Sequence, residues 1–107
     1  LEWLNSFGKG GFRLPLTESV SFKCVLQKGN RIQVPRLIRW QFKLEPTQVL
    51  EVTVKPVDAV GVREKFFARM SSDGRLTIPK LVVDLLKEEE ESLVGSVLEV
   101  DLQPVKG

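Results

Sequence analysis

The chain has 107 residues, enough for one domain of ordinary size, and 16 Lys+Arg stand against 14 Asp+Glu for a formal net charge of +2. With 42% apolar and 28% charged residues, and no apolar run near the roughly 18 that a membrane helix needs, the composition argues against a helical membrane span and against disorder. The single Cys24 allows no intrachain disulfide, which suits a cytoplasmic protein, and the absence of His removes the commonest general base, the commonest zinc ligand and every Ser-His-Asp or Cys-His arrangement.

Residues 1–20 read as an N-terminal extension. Within it, Gly8-Lys9-Gly10-Gly11 lacks the spacing and the terminal Ser/Thr of a P-loop, so it reads as a flexible linker ahead of a Phe12-to-Leu16 strand. Residues 21–107 read as a single domain with an internal repeat: FKCVLQKGNRIQVPRLIRWQFK at 22–43 aligns without gaps on FFARMSSDGRLTIPKLVVDLLK at 66–87. Phe22/Phe66, Arg31/Arg75, Pro35/Pro79, Leu37/Leu81 and Lys43/Lys87 are identical, and after four inserted residues VLEV at 49–52 matches VLEV at 97–100. The repeats span 21–56 and 65–104.

Each repeat predicts the same elements in the same order. Phe22, Cys24 and Leu26, like Phe66, Ala68 and Met70, alternate with polar partners at the period of a half-buried strand. Lys28-Gly29-Asn30 and Ser72-Asp73-Gly74 tolerate positive φ and reverse the chain into short strands, Arg31 to Val34 and Arg75 to Ile78. Pro35 and Pro79 stop those strands and suit the first turn of a helix. The helices are expected to bury Leu37, Ile38, Gln41 and Phe42 in the first repeat and Leu81, Val82, Leu85 and Leu86 in the second. Strands over Val49 to Val54 and Val97 to Leu102 close the units. The fold class is therefore mainly β with short helices. A ββαβ unit of this size is below the length at which one core is stable alone, so the second copy is the expected partner of the first.

The stretch GRLTIPK at 74–80, echoed by NRIQVPR at 30–36 and followed by an amphipathic helix and a Val-x-Val strand, resembles the AbrB/SpoVT swapped-hairpin family of DNA-binding proteins. In that family one such unit is half a barrel completed by a second chain. The resemblance implies here a single-chain version, similar to archaeal RIFT-type barrels: a pseudo-twofold, six-stranded cradle-loop β-barrel made from the two ββαβ repeats. Related barrels carry Gly-Asp before the last strand, where this chain reads Thr47-Gln48 and Gly95-Ser96.

Splitting the charge at the repeat boundary exposes an asymmetry that the total conceals. Residues 22–56 hold seven basic groups against two acidic, a balance of +5, whereas residues 66–107 hold five against eight, a balance of −3. One half is therefore expected to face a polyanion. With Leu37 and its companions inward, Arg36, Arg39, Trp40 and Lys43 are expected on the outer helix face, where cations contact phosphates and the indole stacks. The plainer alternative is a solvated helix face with Trp40 packed on Trp3, Phe7 and Phe12 of the extension.

In the AbrB-like family, basic residues around the turn and the Pro meet DNA, which the resemblance carries to Lys28, Arg31 and Arg36. Arg75 and Lys80 occupy the same positions in the second repeat, with Asp73 and Asp84 close enough to weaken any phosphate contact. Glu88 to Glu91 read as a solvated insertion, without the ligand spacing of a calcium loop.

The expected function is a non-enzymatic DNA-binding protein without cofactor or metal, monomeric or weakly dimeric. Two alternatives remain: an RNA-binding or ribosome-associated protein, and a small-molecule or nucleotide-binding barrel related to archaeal riboflavin kinase. No acid/base constellation in the chain supports the last of these.

Overall fold

A computed structural model describes residues 19–46, 48–59, 61–87 and 92–105. Residues 1–18 of the extension, and with them the expected linker and strand, lie outside the described residues, as do Glu88 to Glu91, whereas Val20 belongs to the first strand. The elements follow the order β1 (Val20–Val25), β2 (Arg31–Gln33), α1 (Arg36–Gln41), β3 (Val49–Pro56), β4 (Glu64–Arg69), β5 (Arg75–Thr77), α2 (Lys80–Lys87) and β6 (Val97–Pro104). The starts of β1 and β4, of β2 and β5, and of α1 and α2 are each separated by 44 residues, the offset of the sequence repeat.

The protein is mainly β. Strands pair antiparallel in a four-stranded sheet of order β1-β6-β3-β4 and in a separate two-stranded ribbon, β2-β5. No ladder joins ribbon to sheet among the described residues, so β1 and β4 each have one free edge. One further backbone bond extends the ribbon at each end in the same register: the Ile78 N–H donates to the Asn30 carbonyl at 2.8 Å and the Val34 N–H to the Gly74 carbonyl at 2.9 Å. These two bonds are equivalent under the 44-residue offset. Each hairpin's outgoing strand thus grips the other hairpin's turn.

Alternation sorts the sheet into two faces. The inner rows run Val20, Leu102, Val52, Phe66 and Phe22, Val100, Val54, with Cys24 beside Leu98, and they meet Ile32 and Leu76 of the ribbon in one core. The outer rows are checkered with charge. Glu99 stands between Lys23 and Lys55, with Lys55 Nζ 3.5 Å from its carboxylate, and Glu51 takes Lys65 at 2.8 Å.

Burial in this core pushes the Cys24 thiol up to about 11. At pH 8 the folded chain is expected to react with iodoacetamide about a hundredfold more slowly than the chain in guanidinium, because the thiolate is the nucleophile. Labelling followed by mass spectrometry measures this; equal rates would place Cys24 outside the core.

The helix faces differ from the sequence expectation. Ile38, Arg39 and Phe42 turn toward the core, while Leu37 is 70% exposed and Gln41 is also exposed. In α2, Val82, Val83 and Leu86 are buried, whereas Leu81 is 70% and Leu85 50% exposed. Both helices are thus rotated in the same sense by less than a turn from the predicted stripe. The reason is positional: the strand-to-Pro connection is too short to adjust, so the angle at which the chain leaves the ribbon sets the helix face, not the best apolar moment.

Candidate nucleic-acid interface

The hairpin turn of the first repeat is built on two consecutive left-handed residues, Gly29 at φ 86° and Asn30 at φ 59°. Glycine is free of the steric cost there, and Asn is among the side chains that tolerate it. Lys28 projects from this turn and Arg31 opens β2; both are exposed. Arg36, also exposed, begins α1 three residues after β2 ends. Among the described residues, no carboxylate lies within 4.0 Å of Lys28, Arg31, Arg36 or Lys43.

Helix α1 ends in a tight cap. The Leu44 N–H donates to the Arg39 carbonyl at 3.0 Å and the Lys43 N–H to the Trp40 carbonyl at 3.4 Å, the paired bonds of a Schellman motif. Its left-handed residue is Lys43, at φ 55°, where glycine is the usual occupant. A side chain there is strained, and position 43 keeps a cation at that cost. Lys43→Gly is expected to raise stability by about 0.5–1 kcal/mol while weakening polyanion binding. Urea denaturation checks the first effect; a loss of stability would contradict the strain.

Arg39, Trp40 and Lys43 line one shallow depression with Leu44, Glu45 and Pro46. The three candidate residues play different parts in it. Trp40 is 75% exposed, and Lys43 is exposed. Arg39 is half-buried and its Nε donates to the Val34 carbonyl at 3.2 Å. Its guanidinium lies against the Gly74 backbone so closely that a Cβ on Gly74 would meet Arg39 Nε at 2.5 Å. The expected outer-face set Arg36, Arg39, Trp40 and Lys43 therefore loses Arg39, which spans from α1 to the second hairpin. Its equivalent in the second repeat is the buried Val83. Only the tertiary contact reveals this, because an arginine in a helix of six residues reads as surface.

The second repeat holds the same motif differently. Arg75 is half-buried with Nη1 3.2 Å from Asp73, and Lys80 Nζ lies 3.1 Å from Asp84. Asp84 also lies 3.6 Å from Lys87. The Ser71 hydroxyl on Asp73 and the Lys80 ammonium on Asp84 are the main causes that hold those carboxyls below their usual range. The basic excess of the first repeat is not one patch either: Lys23 and Lys55 sit on the outer sheet face beside Glu99. Among the described residues, Lys28, Arg31, Arg36 and Lys43 remain as cations with no carboxylate within 4.0 Å.

Among the described residues, no group of three His, Cys, Asp or Glu side chains is placed to hold a metal, and no helix is long and apolar enough to cross a membrane.

These features define a small antiparallel β protein with two short helices and, at the turn and helix of the first repeat, cations that no described carboxylate engages, while in the second repeat Arg69 is the exposed arginine outside the described ion pairs. It is similar in structure to PHS018 from Pyrococcus horikoshii, known from a solution structure, with a TM-score of 0.67 and 22% identity over 88% of this chain and 100% of that one. At that identity the likeness is one of fold. No family model matches the chain, and no curated protein sequence matches it.

Proposed function

We propose that this chain is a non-enzymatic, cytoplasmic DNA-binding protein resembling AbrB-type transcription regulators. It contacts phosphates with the turn and helix of its first repeat, and its six strands make one pseudo-twofold cradle-loop barrel. The antiparallel pairing of β2 with β5, extended at each end by equivalent backbone bonds, supports the barrel, since it joins the two repeats.

One observation carries the functional reading. The same motif occurs twice in one chain, and Asp73 and Asp84 engage its cations in the second copy while no described carboxylate approaches Arg31 or Arg36 in the first. A merely solvated surface gives no reason for this difference, whereas a surface kept for phosphate oxygens does.

The test is a mobility shift with a labelled DNA duplex. With Lys28, Arg31, Arg36 and Lys43 on the phosphates, affinity is expected to fall about a hundredfold between roughly 50 and 200 mM salt through counterion release. No complex at the lower salt overturns the proposal. Trp40, 75% exposed beside Lys43, favours a second reading in which an unpaired RNA base stacks on the indole. Competition by single-stranded RNA that outweighs duplex DNA would select it.

A further inference from the structure

The ribbon's outward face presents Arg31 opposite Thr77 and Gln33 opposite Arg75, with Ile32 and Leu76 fully buried behind them. The two arginines are equivalent under the repeat, so an undifferentiated ribbon would offer the same contact at both ends. A two-stranded ribbon of this kind fits the major groove of B-DNA.

The ends are not the same. At the second, the Ser71 hydroxyl bonds to Asp73 and accepts from the Arg75 N–H at 3.1 Å. Asp73 in turn holds Arg75 Nη1 at 3.2 Å, and Gln33 Nε2 donates to the Asp73 carbonyl at 2.9 Å. Arg75 Nε is buried and has no hydrogen-bond partner, so the guanidinium is retained by Asp73 without being fully satisfied. At the first end, position 27 is Gln where the second has Ser71, and position 29 is Gly where the second has Asp73. A Cβ on Gly29 would lie 3.5 Å from Arg31 Nε. Position 29 thus supplies no carboxylate beside Arg31, and among the described residues none lies within 4.0 Å of its guanidinium.

We propose that Asp73 is a latch that withholds Arg75 from nucleic acid, so that the ribbon engages duplex DNA at its Arg31 end alone. A single chain then takes a non-palindromic half-site, unlike a dimer of identical halves, whose symmetry demands a palindrome. The inference rests on the DNA-binding reading above, and Asp73 is its specificity-determining residue.

The experiment is fluorescence anisotropy of a labelled 20-base-pair duplex across a salt series, with the full chain, Asp73→Ala, Arg75→Ala and the double variant. Asp73→Ala is expected to bind about tenfold more tightly and to steepen the log–log salt slope by about one, the signature of one added phosphate contact. Arg75→Ala alone changes affinity by less than about twofold, and in the double variant the gain disappears.

A gain that survives in the double variant shows only the removal of a negative charge and overturns the latch. Unchanged affinity in Asp73→Ala, with the full chain still binding, overturns the latch and leaves the DNA reading intact. Absence of binding by the full chain and by Asp73→Ala alike overturns both.

Discussion

Leu76→Ala is expected to lower the unfolding free energy by about 3 kcal/mol, the cost of removing a fully buried leucine from a core that relaxes only partly. Leu76 is 0% exposed and faces Ile32 across the ribbon, where it joins the inner rows of the four-stranded sheet. Among the described residues ribbon and sheet share no ladder, so the apolar core between them is what packs one on the other. Against a total of about 5–15 kcal/mol, the loss is a large fraction and lowers the melting temperature by about 12 °C or more. The control is Leu81→Ala: the same substitution at a site 70% exposed should cost no more than about 0.5 kcal/mol. Thermal and urea unfolding followed by circular dichroism give both values. Equal costs would mean that α2 buries the stripe its sequence suggests.

Arg31→Ala and Arg36→Ala are each expected to weaken duplex DNA binding about tenfold at low salt, since a charge-assisted contact to phosphate is worth about 1.5 kcal/mol or more. Arg75→Ala and Lys80→Ala should each change it less than about twofold, because Asp73 and Asp84 already neutralise those side chains. Each first-repeat variant should also flatten the log–log salt slope by about one. Arg31, Arg36 and Lys80 are exposed and Arg75 is half-buried, so unfolding curves of all four variants are compared alongside the binding. Equal losses in the two repeats would mean that the charge asymmetry has no bearing on binding, and the functional reading would fail with it.

The repeat made much of this architecture legible. Strand β1 and strand β4 begin 44 residues apart, as the alignment requires, because period-two alternation and turn residues act locally and recur with the sequence. The final strands run two residues beyond their predicted ends, to Pro56 and Pro104, since a proline needs no ladder donor at the last position of a strand. The pairing of Asp73 with Arg75 and of Asp84 with Lys80 was equally readable, from spacings of two in a turn and four on a helix.

The helix faces were not legible. Of the expected stripes, Ile38, Phe42, Val82 and Leu86 turn inward as the apolar pattern requires, but Leu37, Gln41, Leu81 and Leu85 face out and Arg39 and Val83 take their place. A helix of six or eight residues has too few positions for its apolar moment to dictate orientation, and the entering strand dictates it instead.

By itself, then, the sequence determined the order of elements, their duplication, the turns and the opposite charge of the two halves. These depend on neighbours along the chain. The tertiary structure decided which strands pair, that the six divide into a sheet and a ribbon, that Arg39 reaches Gly74, and that Gln33 serves the opposite hairpin. Apart from β3 with β4, whose partners are 10 to 20 positions apart, those contacts join residues about 35 to 80 positions apart in the chain, and periodicity carries no information about which distant partner fills a given space.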